Sequence, residues 1–183
     1  MIDRVRGDAG YSLVELLTVM AIMSIVFAGI TTVFVSGSKA QADQDRRFQA
    51  QLSTRLALDK IRRDIHCASD VTPNTGFPTS SVTLTIATGC GGNVSWCTAA
   101  VAGSTTRYAL YRQLGSSCSS GARVKVADYL TNTGGNVFVS FLHASGCRCL
   151  ASLEVDFRAS VKGSTIGAYE ITDKIYLRNS TRI

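Results

Sequence analysis

Proline is almost missing from this chain, which holds only Pro73 and Pro78 in 183 residues. There is no low-complexity tract and no internal repeat, and 45% of residues are hydrophobic against 17% charged, a balance that excludes a wholly disordered or collagen-like chain. Histidine is as scarce, with His66 and His143 alone. Neither stands at zinc-ligand spacing from the cysteines, which offer C-x-C and no C-x-x-C, so no metal and no cofactor is expected. No motif unites a nucleophile, a base and an orienting group: Asp64, His66 and Cys67 are neighbours in sequence without forming one, and no enzymatic activity is expected. The most informative absence is of charge, because Leu16 to Val35 reads LLTVMAIMSIVFAGITTVFV, twenty residues without an acid or a base.

Such a run has the length of one membrane-crossing helix, about 30 Å at roughly 1.5 Å per residue. A secretory signal peptide, with Arg4 and Arg6 as its basic start, is the competing explanation. Its apolar region would be about 7 to 15 residues and would end at a small-residue cleavage site. Here the run is longer and leads without a turn signal into a further helical pattern, which favours a retained span. Just ahead of it stands one carboxylate, Glu15, in GYSLVELL. Insertion scales put an ionised side chain at the centre of a membrane helix at about 2.5 to 3.5 kcal/mol, so such a group calls for a partner or a task. The plainer explanation is an acid near a helix start that reaches toward headgroups or is favoured by the helix dipole.

Beyond Val35, Phe48, Leu52 and Leu56, followed by Leu58, Ile61 and Ile65, recur at mostly three- and four-residue steps, which predicts an amphipathic helix. Arg46, Arg47, Arg55, Lys60, Arg62 and Arg63 would form its solvated side. No proline interrupts Tyr11 to Cys67, so unless Gly37 breaks it, one helix on the order of 80 Å long is expected. The turn-rich SDVTPNTGFPTSS ends it. Period-two alternation then predicts strands around Val82, Leu84 and Ile86, Val124 and Val126, Val137, Val139 and Phe141, and Leu153, Val155 and Phe157, with TRYALYRQL and YEITDKIYLRN as further candidates. The expected fold is α+β: a long N-terminal helix, transmembrane in its first half and amphipathic in its second, packed on an antiparallel sheet.

Cys67, Cys90, Cys97, Cys118, Cys147 and Cys149 all lie beyond the apolar run, which suggests an oxidising, extracytoplasmic compartment and up to three disulfides. Direct closure of Cys147 to Cys149 is disfavoured by the very short loop. The expected arrangement joins Cys90 to Cys97, while Cys147 and Cys149 reach separately toward Cys67 and Cys118. The net charge is +6, and it stays +6 without the first ten residues because Arg4 and Arg6 are balanced by Asp3 and Asp8. That permits nucleic acid as a partner, although the basic residues are scattered.

GYSLVELL resembles the type III signal of type IV prepilins and pseudopilins: a short basic leader ending in glycine, an aromatic, a small polar residue, two aliphatics, glutamate and a long apolar helix. The resemblance implies a pilin-like fold and cleavage by a prepilin peptidase between Gly10 and Tyr11. It also implies N-methylation of Tyr11, where most relatives have phenylalanine, and a charge pair between the freed amine and Glu15 of neighbouring subunits. The implied segments are a cleaved leader (1–10), a transmembrane and assembly helix (11–35), an amphipathic half-helix (36–68) and an extracytoplasmic β-rich domain (69–183). RLALDKIRRDIHCASDV, YALYRQLGSSCSSGARVKVADYLTN and TDKIYLRNSTRI are similar to segments of J-type minor pseudopilins and W-type minor pilins. That likeness implies a single-pass protein of the inner membrane, N-terminus cytoplasmic, later built in at or near the tip of a type IV pilus or type II secretion pseudopilus to prime assembly. The implied partners are membrane lipid before assembly, other minor and major pilins, and an inner-membrane platform driven by a cytoplasmic ATPase. The alternative is a tip subunit that binds DNA or adheres to surfaces.

Overall fold

The computed structural model of the chain describes residues 11–86, 88–119, 121–143, 149–163 and 167–180. They divide into two compact units, one through Asp45 and one from Arg46 onward. Helix α1 (Leu13–Cys67) contributes to both, and Gly37 does not interrupt it. In the first unit every residue from 11 to 42 is exposed. This part of α1 is long and apolar enough to cross a membrane. Five of its hydroxyls are already satisfied: Thr18, Ser24, Thr31, Thr32 and Ser36 each donate to a backbone carbonyl three or four residues earlier, at 2.7–2.9 Å. Such back-bonding lets polar side chains sit in hydrocarbon without an unpaired donor.

In the second unit α1 buries Ala50, Thr54, Ala57, Leu58, Ile61 and Ile65. Leu58, Ile61 and Ile65 follow the expected apolar pattern, and each such side chain contributes about 1.5–3 kcal/mol on burial. Phe48, Leu52 and Leu56 depart from it, being 66%, 45% and 58% exposed. The reason is angular. A helix turns about 100° per residue, so the two-residue step from Leu56 to Leu58 crosses to the opposite side. The pattern therefore holds two stripes, and the covered one is continued toward the N-terminus by Ala50 and Thr54, which carry little hydrophobic signal.

The covered side meets an eight-stranded sheet built from β1 (Ala68–Thr72), β2 (Ser81–Ile86), β3 (Val94–Ala100), β4 (Tyr108–Leu114), β5 (Val124–Leu130), β6 (Phe138–Leu142), β7 (Ser152–Ala159) and β8 (Tyr169–Tyr176). Strand order is β1-β2-β3-β4-β5-β7-β6, with β8 on β7, and all pairings are antiparallel. β7 is the hub: β6 runs beside its first half, β5 meets it at Ala159, and β8 pairs along its whole length. Trp96, Phe138, Phe157, Leu84, Leu110 and Leu153 join Leu58, Ile61 and Ile65 in one core. This is the expected α+β, pilin-like fold, with the sheet curled over the helix.

The alternation in β2 and β7 is realised as expected, with Leu84, Leu153, Val155 and Phe157 wholly buried. Elsewhere the register differs. Val124 is 62% exposed, while Ala127 and Leu130 carry the buried side of β5. The β4–β5 pairing shifts twice, between Tyr108 and Leu110 and again between Leu110 and Tyr111, and Tyr129 takes a left-handed φ of 65°. A bulge of this kind swaps the faces of a strand. In β6 the strand starts at Phe138, which is buried next to Val137 instead of alternating with it. β1 and β3 were not expected as strands. β1 is ASDVT, whose weak propensity is overruled by pairing with β2 and burial of Val71. β3 shows no alternation because both faces are covered from Val94 to Cys97. Opposite the helix, Ser95 Oγ donates to the Gly115 carbonyl and Cys97 is bonded to Cys118.

Candidate functional site

Tyr11 and Ser12 precede the helix, and the Ser12 carbonyl accepts the first helical hydrogen bond, from Leu16 N at 3.1 Å. This makes Ser12 the N-cap residue and sets Glu15 in the first turn, at the spacing of a capping box. Glu15 and Tyr11 are both exposed. A carboxylate there is favoured by the unpaired N–H groups and positive end of the helix dipole, so its charge is tolerated before any partner arrives. Gly10 lies outside the described residues, as does Cys147.

In the second unit the polar side chains join helix to sheet. Asp64 is the principal anchor: Trp96 Nε1 donates to its Oδ2 at 2.9 Å, Arg112 Nε to the same oxygen at 2.8 Å, and Arg112 Nη2 to Oδ1 at 3.2 Å. Arg62 Nε donates to Asp173 at 2.7 Å, which, with Asp59 nearby, raises its pKa above the usual arginine value. His66 Nδ1 lies 3.1 Å from the Tyr176 carbonyl, and Asn179 Nδ2 donates to the Cys67 carbonyl. Asp64 and His66, neighbours in sequence, are thus both engaged in structural contacts. Sequence reading missed the Asp64 anchor. The available signal was the single tryptophan, whose buried indole N–H requires an acceptor.

A second cluster sits at the β5 bulge. The Arg107 guanidinium carbon lies 4.4 Å from the centroid of the Tyr129 ring, and Asp128 faces Lys125 at 3.1 Å and Arg107 at 3.6 Å. Burial works against the charge of Asp128, but the Tyr129 N–H, Lys125 and Arg107 outweigh it and hold its carboxyl below the usual range. The helix arginines stand mostly on the solvated side as expected, with Arg62 drawn to the sheet by Asp173 and Arg55 by Tyr169, whose hydroxyl accepts from its Nε at 2.8 Å.

The cysteines pair differently from expectation. Cys97 is bonded to Cys118, its Cα 6.3 Å away, and not to Cys90. Cys67 and Cys90 are free thiols. Cys149 is disulfide-bonded, so it reaches neither Cys67 nor Cys118. The physical reason is that β3 is held against the connection after β4, which carries Cys118 to Cys97, while the turn after β2 faces Cys90 away from β3.

The prokaryotic N-terminal methylation motif family matches residues 5–31. The chain carries a type IV prepilin-like signal, and the match spans the apolar start of α1 with Glu15 inside it. The motif supports a type IV pilin- or pseudopilin-type protein and implies processing by a prepilin peptidase and assembly with other pilins. With the long apolar helix, it is consistent with a membrane-anchored pilin. No curated protein and no solved structure shows significant similarity to the chain.

Proposed function

We propose that this chain is a minor pilin or pseudopilin, cut between Gly10 and Tyr11, N-methylated on Tyr11, and built in at or near the tip of a type IV pilus or type II secretion pseudopilus, where it primes assembly. The observation that carries this reading is the pairing of the matched signal with a helix whose residues 13–35 are all exposed and hold a single acid, Glu15, in the first turn. An apolar helix with no cover of its own requires lipid first and other helices later. Cleavage after Gly10 would place a cationic amine four residues ahead of Glu15. On one chain the two groups stay near headgroups; in a bundle each would be an isolated buried charge unless matched by its counterpart on a neighbour. The pair therefore acts as a register pin, as one buried polar residue does in a coiled coil.

The exposed stripe of Phe48, Leu52 and Leu56 adds a second assembly surface on the side of α1 away from the sheet. The J- or W-type minor-subunit assignment rests on the likeness of the helix end, the β4–β5 region and the C-terminal segment. The alternative of a DNA-binding or adhesive tip subunit rests on the +6 charge. Arg62, Arg107, Arg112, Lys125 and Arg158 face carboxylates, which lowers the charge available to phosphates. Salt-sensitive retention of DNA by the protein would restore that reading. The processing step is tested by Gly10→Val in the native host. The variant is expected to remain a membrane-held chain that keeps its first ten residues, and normal trimming of it would overturn the proposal.

A further inference from the structure

The two free thiols are not apart. Cys67 closes α1, and the next residue, Ala68, pairs with Ile86 at the end of β2. The chain then turns back through the short 3-10 helix Thr88–Cys90, four residues after Ile86, which returns Cys90 to the end of α1 where Cys67 stands, and the two thiols are close enough for each to bear on the other's charge. Gly91 and Gly92 follow at φ of 105° and 82°, values that side chains rarely adopt, and reverse the chain into β3.

We infer that Cys67 and Cys90 are a modification site: a pair of thiols oxidised, after the domain has folded, to a disulfide that ties the end of α1 to the β2–β3 connection. The co-reactant is a disulfide-bearing thiol oxidoreductase or a small-molecule disulfide. Cys90 is exposed and Cys67 partly covered, so Cys90 is the sulfur an oxidant reaches first. Its thiolate attacks one oxidant sulfur, forming a mixed disulfide and expelling the other sulfur as a thiolate. Cys67 then attacks the Cys90 sulfur and expels the remaining oxidant sulfur. Two electrons and two protons pass to the oxidant, which ends as two thiols. The neighbouring Cys90 thiol, then partial burial, raises the Cys67 pKa, which lowers its thiolate fraction and leaves the first attack on the oxidant to the exposed Cys90. The Cys97–Cys118 bond and the disulfide at Cys149 indicate an oxidising environment independently of the topology. The extracytoplasmic placement rests on the proposed pilin function.

This junction is where α1 gives way to the sheet, held otherwise by the Arg62–Asp173 pair, His66 on the Tyr176 carbonyl and Asn179 on the Cys67 carbonyl. A covalent tie makes the helix end and the sheet edge part together or not at all. The β2–β3 turn then becomes a point through which a pull along the helix enters the domain.

The test is alkylation of the full-length protein from native membranes, before and after reduction, followed by peptide mass spectrometry. The expected result is a Cys67–Cys90 cross-linked peptide, about 2 Da lighter than the reduced pair, that takes up alkylating agent only after reduction. In Cys67→Ser the thiol of Cys90 is expected to become reactive without reduction, with Cys97–Cys118 intact as the folding control. Cys67→Ser/Cys90→Ser is expected to lower Tm by roughly 5 °C. Free Cys67 and Cys90 beside an intact Cys97–Cys118 bond would overturn this inference and leave the proposed function standing. Six reactive thiols without reduction would overturn both the inference and the extracytoplasmic placement.

Discussion

The helix from Leu13 to Asp45 and the unit from Arg46 onward satisfy their groups in opposite ways. In the second unit apolar side chains meet across one core, and the charges of Asp64, Arg62 and Asp128 meet partners within the same chain. In the first, the hydroxyls from Thr18 to Ser36 are satisfied locally, but the apolar surface is bare and Glu15 is exposed. A segment that stabilises itself has no physical need of company. One that leaves a twenty-residue uncharged run and an acid uncovered does, and that is where the proposed assembly chemistry is concentrated.

Substitutions should separate the two regions sharply. Glu15→Ala is expected to be trimmed normally and to keep its Tm within about 1 °C, yet to enter filaments or tip complexes at least about tenfold less, equivalent to about 1.4 kcal/mol. Co-purification with other pilins measures this; unchanged incorporation would remove the charge pair from the account. Asp64→Ala should do the reverse. It strips two donors of a mostly buried acceptor and should cost about 3 kcal/mol of stability, read by denaturant unfolding in detergent, while leaving processing at Gly10 intact. Leu52→Ser, on the exposed stripe, should change stability by no more than about 0.5 kcal/mol and weaken assembly. A large loss of stability would show that the stripe is covered within the chain.

The smallest effect concerns acid. The folded-state pKa of Asp128 is depressed, so its contribution is complete above the unfolded value of about 3.9 and fades as pH falls through the lower folded value. Asp128→Asn should therefore lower Tm near neutral pH and flatten its fall below about pH 4. Equal sensitivity to acid in both proteins would contradict the role given to the β5 cluster.

How much of this could be read from residues alone depends on how local the cause is. The helix was legible because period, proline absence and a charge-free run are all local. β2 and β7 were legible because their buried apolar side chains alternate in sequence with polar ones. β3 was not, since the Cys97–Cys118 bond and the Ser95–Gly115 contact cover its second face and erase the alternation. β5 misled because two register shifts in its pairing with β4 break the period of two, so that Ala127 and Leu130 carry its buried side. The stripe of Phe48, Leu52 and Leu56 was assigned to the core because leucine spacing alone does not show which side a sheet covers. Disulfide pairing depends on which loops the sheet brings together, so Cys90 and Cys97, near in sequence, were joined wrongly. The signal around Tyr11 and Glu15 was legible because it is one contiguous stretch of sequence that needs no tertiary contact to be recognised.

The central claim is that a cut after Gly10 creates an amine for Glu15 to meet. Mass spectrometry of the N-terminal peptide of the protein from native cells tests it most directly. The account predicts a peptide that begins at Tyr11 and carries one methyl group on its amine. A mature chain beginning at Met1, or at any residue beyond the apolar run, would contradict it.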